Sequence, residues 1–169
     1  MGSYREIKGD LLHLFDKGFF DAIGHGANCF CTMGSGIAGQ IHKKFPGAYE
    51  EDCHTIKGDK SKLGSFTYWP NPKNGSILYN LYTQYNYGRK VGNQYADYKA
   101  IREALEGMRD HMHEKLKRTL EIGLPQIGCG LGQGDWKIVK QIIRDVFHKD
   151  NVTAVIFDPS PPYQSQKLM

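Results

Sequence analysis

The chain has 169 residues, of which 40% are hydrophobic and 24% are charged. This composition excludes a disordered or fibrous protein, and folding at this length buries roughly 70% of the unfolded surface, so one compact domain is expected. The 22 Lys and Arg exceed the 18 Asp and Glu by four. This small positive charge suits an anionic ligand but is too weak to predict a nucleic-acid partner.

The cysteines and the hydropathy pattern bear on the cellular setting. Cys29, Cys31, Cys53 and Cys129 have no framework spacing and no signal segment precedes them, so we expect free thiols in a reducing, cytoplasmic setting. No apolar run approaches the roughly 20 residues needed to cross a bilayer, so no membrane partner is predicted. Cys-x-Cys is not the usual spacing of structural zinc ligands, and neither a metal nor a cofactor is expected.

The first part of the chain predicts two short strands and one helix. Alternating residues over 4–8 predict a strand that ends at Gly9-Asp10. Residues 22–25 are a second strand candidate, and a loop with three glycines and two cysteines follows over 26–36. A helix is then predicted to end at Pro46, because apolar residues recur at helical spacing: Ile37, Ala38, Ile41 and Phe45.

The middle of the chain predicts a hairpin and a long helix. Residues 66–69 and 77–82 are rich in aromatic and β-branched residues and flank a turn-forming segment, which predicts two paired strands. The clearest amphipathic helix has apolar residues three and four positions apart in a charged background: Tyr98, Ile101, Leu105, Met108, Met112 and Leu116.

The last part predicts another strand, loop and helix, followed by a final strand. Residues 122–125 are a strand candidate, and a second glycine loop covers 128–134. A helix follows with one apolar face, formed by Val139, Ile142, Ile143, Val146 and Phe147. Residues 152–157 predict a buried strand, and 159–169 a loosely ordered tail. This order of elements predicts an α/β fold with helices covering a mixed sheet.

The most informative feature is the repeated order of strand, glycine loop and helix, at residues 22–45 and again at 122–147. Helix N-termini present unpaired N–H groups and partial positive charge, and glycine lets an anion approach the backbone. Both loops are expected at one rim of the sheet, where two helix ends could hold a diphosphate between them. Either loop alone could be only a tight turn, and neither is a Walker or a dinucleotide-binding loop.

Three motifs occur in order along the chain: Gly9-Asp10-Leu11-Leu12, residues 27–38 (ANCFCTMGSGIA), and Ile127-Gly128-Cys129-Gly130-Leu131. Together they resemble a macrodomain over residues 4–157. The chain is most similar to the branch that contains the terminal ADP-ribose protein glycohydrolase, antitoxin macrodomains that remove ADP-ribose from DNA, and ADP-ribose 1″-phosphate phosphatases. The resemblance implies a three-layer α/β/α macrodomain with a mixed central sheet over residues 1–158.

The resemblance also implies how ADP-ribose would bind. Asp10 would pair with the adenine amino group beside Gly9 and the Leu11 backbone, although a Gly-Asp pair also suits a simple turn. Asn28 would contact the distal ribose. Phe157 would either stack on adenine or end the core of its strand. The first phosphate loop would be formed by Gly34, Ser35, Gly36 and Ile37, and the second by Gly128, Gly130, Leu131, Gly132 and Gln133. Thr32, Met33 and Cys129 are expected as further ADP-ribose-binding residues.

Two positions depart from the deglycosylating members of the family. Gln84 stands where those members have a lysine, and Gly132 where the glycohydrolase has an acidic residue, which argues against lysine-assisted cleavage. The chain instead has Asp135 after the second loop and His25 just ahead of Asn28, an arrangement that resembles the phosphatase-type members. These two side chains could share proton transfer at a phosphate. Asp135 equally suits the N-cap of the last helix, and a lone histidine at a strand end is commonly structural.

These observations predict a phosphatase that converts ADP-ribose 1″-phosphate to ADP-ribose and phosphate, with His25, Asp135 and Asn28 as its catalytic residues. One alternative is a hydrolase of ADP-ribose conjugates with protein, nucleic acid or acetate. An alternative of another class is a non-catalytic ADP-ribose reader. The expected partners are ADP-ribose or its 1″-phosphate, with ADP-ribosylated macromolecules as secondary candidates, and we expect a monomer.

Overall fold

Six strands form one mixed sheet in the computed structural model, which describes residues 2–88, 90 and 92–158. The strands are β1 (Ser3–Gly9), β2 (Ala22–Ala27), β3 (Phe66–Pro70), β4 (Ile77–Tyr82), β5 (Glu121–Leu124) and β6 (Asn151–Phe157). Their order across the sheet is β1-β6-β5-β2-β4-β3. All neighbours run parallel except β3, which pairs antiparallel with β4. Five strands therefore end at the same rim.

In the described part of the chain, five α-helices cover the two faces of the sheet. They are α1 (Leu11–Asp16), α2 (Gly36–Lys44), α3 (Pro46–Cys53), α4 (Tyr98–Lys115) and α5 (Trp136–Val146). The core beneath α4 and α5 is separate from the core beneath α1, α2 and α3. The predicted three-layer α/β/α arrangement is therefore confirmed. No helix within the described ranges is both long and apolar enough to cross a bilayer.

The pleat of the central strands divides their side chains between the two cores. In β4, which is buried along its whole length, Tyr79 and Leu81 pack beneath α4, whereas Leu78 packs on the opposite face. Successive side chains of a strand point to opposite faces of the sheet. The same alternation in β2 places successive side chains near the rim on opposite faces of the sheet.

The predicted hairpin and the long amphipathic helix are confirmed as the β3–β4 pair and α4. The predicted boundary at Pro46 is also confirmed, because α2 ends at Lys44. However, the helical structure resumes at once, since Pro46 is the first residue of α3. Proline is favoured at this position because the first helical N–H has no intrahelical partner.

Helix α1 was not predicted, because the segment after Gly9 was expected to be only a turn. Its N-cap is Asp10, whose Oδ1 accepts hydrogen bonds from the backbone N–H groups of Leu12, at 3.1 Å, and His13, at 3.3 Å. The helix is too short for a periodic pattern to stand out. The predicted tail, residues 159–169, lies outside the described residues.

Candidate functional site

A cleft of about 430 Å³ lies beyond the carboxyl ends of β2 and β5. The first glycine loop and the start of α2 line it through Asn28, Thr32, Gly34, Ser35, Gly36 and Ile37. The second glycine loop lines it through Gly128, Gly130, Leu131 and Gly132. In open α/β sheets this rim is the usual place for ligands. The two loops predicted to lie together therefore do so.

The start of α2 is shaped to receive an anion. Gly36 has φ +60°, a conformation that favours glycine, and the preceding Ser35 is extended. Ser35 holds the N-cap position, but its side chain makes no capping hydrogen bond. The first N–H groups of a helix have no intrahelical acceptor, and the helix dipole adds partial positive charge there. Because Gly36 and Ile37 line the cleft, these groups are available to a phosphate.

The second glycine loop is a tight turn held by its own backbone. Gly128 has φ +73° and Gln133 has φ +58°. The Gly134 N–H donates to the Gly128 carbonyl at 2.7 Å, and the Gln133 N–H donates to the Gly130 carbonyl at 3.0 Å. The loop itself lines the cleft, whereas the start of α5 does not. The expectation that two helix N-termini hold the ligand is therefore corrected to one helix N-terminus and one loop.

The two positions that depart from the family pattern are neighbours in space. Gln84 lines the cleft, and its Nε2 donates to the Asn86 carbonyl at 2.8 Å. A Cβ at Gly132 would lie 3.1 Å from Gln84 Oε1 and only 2.7 Å from the Gly128 carbonyl oxygen. Real side chains do not approach backbone oxygen that closely, so this loop conformation accepts no side chain at position 132. The glycine there is a requirement of the loop.

Gly132→Ala is therefore expected to lower the free energy of unfolding by about 2 kcal/mol, because the added methyl group displaces the Gly128 backbone. Urea denaturation measures the change. Gly130→Ala is the matched control, since a Cβ at Gly130 has no heavy atom within 4 Å. Equal stability of the two variants would contradict the loop geometry described above.

Asn28 shapes the first loop as well as lining the cleft. Its Oδ1 accepts a hydrogen bond from the Phe30 N–H at 2.8 Å. Its Nδ2 donates to Thr32 Oγ1 at 2.8 Å and to the Thr32 carbonyl at 3.2 Å. The side chain is therefore held in one orientation against the cleft. Contact with the distal ribose stays a prediction.

His25 is not part of the cleft. The side chain is fully buried on the face of β2 opposite to Gly26, which does line the cleft. His25 Nε2 donates to Asn80 Oδ1 at 2.7 Å, while Asn80 Nδ2 donates to the Ala48 carbonyl and to Thr67 Oγ1. Burial lowers the pKa of His25 to about 4, so the ring is neutral near pH 7. The proton-transfer role expected of His25 is therefore corrected to a structural one.

Asp135 lies close to the second loop but outside the cleft lining. Its Oδ1 accepts from the Lys137 N–H at 2.9 Å, so it is the N-cap of α5. Burial, with a further contribution from the negative charge of Asp135, raises the pKa of Cys129 to about 11. The Asp135 carboxylate is thus near enough to the second loop to influence its electrostatics. The N-cap interpretation is therefore confirmed, and a role of Asp135 in proton transfer stays a prediction.

Comparison with known proteins decides the family. A sequence model described as Macro domain matches residues 25–143, which is more than half of the chain. The chain belongs to the Macro domain family. The macrodomain is 36% identical over 156 residues to an uncharacterised 17.5 kDa protein from the tk-vs intergenic region of Enterobacteria phage T4. The match covers 90% of this chain and 96% of that protein.

Two further relatives carry names that describe an activity. ADP-ribose glycohydrolase OARD1 of Bos taurus is 30% identical over 152 residues, which cover 89% of this macrodomain and 88% of that protein. ADP-ribose 1″-phosphate phosphatase of Debaryomyces hansenii is 27% identical over 178 residues, which cover 90% of this chain and 98% of that protein.

Solved structures share the fold at lower identity. The macrodomain of Thermus aquaticus DarG has a TM-score of 0.68 at 21% identity, and the match covers 94% of this chain and 100% of that one. The Trypanosoma brucei macrodomain, solved in complex with ADP-ribose, has a TM-score of 0.64 at 14% identity, covering 98% of this chain and 66% of that one. These likenesses confirm the predicted fold.

The residues expected to bind adenine lie at the same rim of the macrodomain, outside the cleft lining. Gly9 pairs with Phe157 across the β1–β6 ladder, and Leu11 is buried in the core. Asp10 is buried at the start of α1, with Lys44 Nζ 4.0 Å from its Oδ2. Phe157 is 59% exposed, so the alternative that it ends the core is wrong. Its stacking on adenine stays a prediction.

Three other residues predicted to bind ADP-ribose do not line the cleft. Met33 is buried in the core beneath α2. Cys129 Sγ donates to the Ile127 carbonyl at 3.3 Å. The Gln133 side chain reaches away to the next loop, where Oε1 accepts from the Gly92 N–H and Nε2 donates to the Lys90 carbonyl.

Some lining residues were missed by the sequence analysis. Pro125 and Gln126 line the cleft directly after β5, and Tyr87 and Gly88 line it in the long loop after β4. The position of Pro125 and Gln126 immediately after a parallel strand was an available signal for that pair. Nothing local marks Tyr87 and Gly88. Across the described ranges, no cluster of three or more His, Cys, Asp and Glu is placed to hold a metal ion.

Proposed function

We propose that this macrodomain binds ADP-ribose in the cleft between the start of α2 and the second glycine loop. The observation that carries the proposal is the lining itself: every described lining residue is uncharged, and glycines expose the backbone on both loops. A diphosphate would meet N–H donors there without meeting a carboxylate. The relative named ADP-ribose glycohydrolase OARD1 and the Trypanosoma brucei complex with ADP-ribose support the same ligand. Calorimetric titration with ADP-ribose tests binding.

We further propose that the protein hydrolyses ADP-ribose 1″-phosphate. Water attacks phosphorus, the bond from phosphorus to the 1″ oxygen breaks, and that oxygen takes a proton, which gives ADP-ribose and phosphate. The relative named ADP-ribose 1″-phosphate phosphatase supports this substrate, and Gln84 in place of a lysine disfavours lysine-assisted cleavage. With His25 buried away from the cleft, Asp135 is the remaining candidate for proton transfer of the two identified from the sequence.

Asp135→Asn is expected to reduce phosphate release roughly 100-fold, because it removes the charge and the proton-accepting group. Asparagine caps a helix about as well as aspartate, so the thermal midpoint is expected to stay unchanged. Phosphate release from ADP-ribose 1″-phosphate is the measurement, and ADP-ribose affinity is the control for an intact cleft. Wild-type turnover in this variant would show that Asp135 only caps α5.

A second candidate is hydrolysis of ADP-ribose conjugates with protein, nucleic acid or acetate. The higher identity to ADP-ribose glycohydrolase OARD1, 30% against 27% for the phosphatase, favours it. Parallel assays with ADP-ribose 1″-phosphate, O-acetyl-ADP-ribose and ADP-ribosylated peptide or DNA distinguish the two. Binding of ADP-ribose without turnover of any of these would identify a reader.

A further inference from the structure

Cys31 lies in the first glycine loop beside a buried lysine. Lys62 is only 7% exposed, and its Nζ donates to Cys31 Sγ at 3.8 Å and to Thr55 Oγ1 at 2.7 Å. The same sulfur lies 3.5 Å from the Asp52 carbonyl, at the end of α3. Cys31 itself is half-buried. The Lys62 ammonium group and the Asp52 carbonyl oxygen therefore both contact the Cys31 sulfur.

A second cysteine lies next to this cluster. Cys53 is exposed and directly follows Asp52, whose carbonyl oxygen contacts the Cys31 sulfur. Tyr49 links the two cysteines, because its hydroxyl donates to the Cys31 carbonyl at 3.3 Å. A hydrogen bond with Cys53 is the main reason that the pKa of Tyr49 is raised, with the charge of Cys31 contributing. The first glycine loop and the end of α3 therefore bring two cysteines to one tyrosine.

The other two cysteines are in less reactive surroundings. Cys29 is fully buried, and its burial raises the pKa of the thiol. Burial and the charge of Asp135 likewise raise the pKa of Cys129, to about 11. Both are therefore held as thiols near neutral pH, and thiols react slowly with peroxides. Cys31 and Cys53 therefore differ from Cys29 and Cys129, whose thiol pKa values are raised by burial.

We propose that Cys31 and Cys53 form a reversible disulfide when the protein meets a peroxide. The Cys31 sulfur attacks one peroxide oxygen as its proton leaves, the O–O bond breaks, and the products are a Cys31 sulfenic acid and water. The Cys53 thiol then attacks the sulfenic sulfur, forming the S–S bond and releasing a second water. Two thiols are oxidised to one disulfide and one peroxide is reduced to two waters.

The disulfide would change the cleft through the first glycine loop. Cys31 has φ +57°, and the next residue, Thr32, lines the cleft and is hydrogen-bonded to Asn28. Tying Cys31 to the end of α3 pulls on this loop, so oxidation is expected to weaken ligand binding roughly tenfold, the equivalent of one charge-assisted hydrogen bond. This consequence rests on the proposed binding of ADP-ribose, whereas the disulfide itself does not.

The test is mass spectrometry of the full chain after treatment with hydrogen peroxide, followed by peptide mapping. We expect the loss of two hydrogens, a linked peptide that contains Cys31 and Cys53, and full reversal by a dithiol reductant. Cys53→Ser is expected to accumulate a Cys31 sulfenic acid that a dimedone probe captures. Lys62→Gln, which keeps a donor but removes the charge, is expected to slow that capture roughly tenfold. Cys29→Ser is the matched control and is expected to behave as wild type.

Three results would overturn the proposal: oxidation confined to the exposed Cys53, a bridge from Cys31 to any group other than Cys53, or an unmodified Cys31. ADP-ribose titration of the reduced and oxidised protein is run in parallel. If the reduced protein does not bind ADP-ribose, the proposed function fails while the mass data still decide the disulfide. If the disulfide forms and ADP-ribose affinity is unchanged, the coupling to the cleft is wrong.

Discussion

Gly130→Val is expected to abolish ADP-ribose binding and to leave the fold intact. A Cβ at Gly130 has no heavy atom of the protein within 4 Å, so we expect the loop to accept a side chain there. Because Gly130 lines the cleft, the valine methyl groups would occupy the space that a phosphate needs to reach the loop backbone. The effect is steric exclusion of the ligand, and we expect at least a roughly 100-fold loss of affinity.

Calorimetry of the Gly130→Val variant measures this loss, and a thermal melt verifies that the protein is folded. Gly130→Ala is the graded control, since one methyl group fills less of the cleft and should reduce affinity less. The contrast with Gly132, where a Cβ would meet the Gly128 carbonyl, separates a ligand effect from a folding effect. Undiminished affinity of Gly130→Val would mean that the ligand does not approach the second loop.

His25→Ala is expected to destabilise the protein by about 3 kcal/mol near pH 7 without changing turnover by the folded molecules. The substitution empties a fully buried site and removes the hydrogen bond that Asn80 Oδ1 accepts. The Asn80 side chain also holds the Ala48 carbonyl of α3 and Thr67 of β3, so the damage extends to two neighbouring elements. Urea denaturation and an assay at low temperature measure the two effects separately.

The stability of the wild-type protein should also depend on the protonation of His25. Burial lowers its pKa from 6.5 to about 4, so between these values the unfolded chain binds a proton that the folded protein excludes. Stability is therefore complete above about pH 6.5 and falls as the pH drops towards 4, by about 3 kcal/mol from this residue.

The His25→Ala variant should lack this component, so the difference in unfolding free energy between wild type and variant should shrink as the pH falls. Urea denaturation at several pH values measures it. A difference that is constant with pH would show that His25 is not a buried neutral group. Loss of turnover in a fully folded variant would restore the catalytic role that the sequence first indicated.

Local sequence patterns predicted most of the elements because each pattern reports directly on burial. The apolar spacing of α4 and the aromatic strands of the hairpin both mark one buried face. Helix α1 was missed since it has only six residues and depends on the Asp10 cap. Helix α3 was missed because Pro46, which ends one helix, also begins the next.

The sequence predicted the loops of the candidate site but not the direction of its side chains. The glycine loops could be recognised from the sequence, because the positive φ at Gly36 and Gly128 favours glycine at these positions. The direction of a side chain at a strand end carries no comparable signal. His25 and Gly26 are adjacent in sequence, yet the pleat sends one into the α3 layer and leaves the other on the cleft. A shift of one residue in the register of β2 would have exchanged the faces on which His25 and Gly26 lie.

The family, the layer order and the two loops that line the cleft could be inferred from the sequence, because motifs and periodicity are properties of contiguous residues. The tertiary fold determines which polar groups share a site. It removed His25 from the cleft, limited the helix contribution to α2, and brought Gln84 against Gly132 and Cys31 against Lys62. These pairings join residues up to 48 positions apart, through strand crossovers and loop contacts that no local pattern encodes.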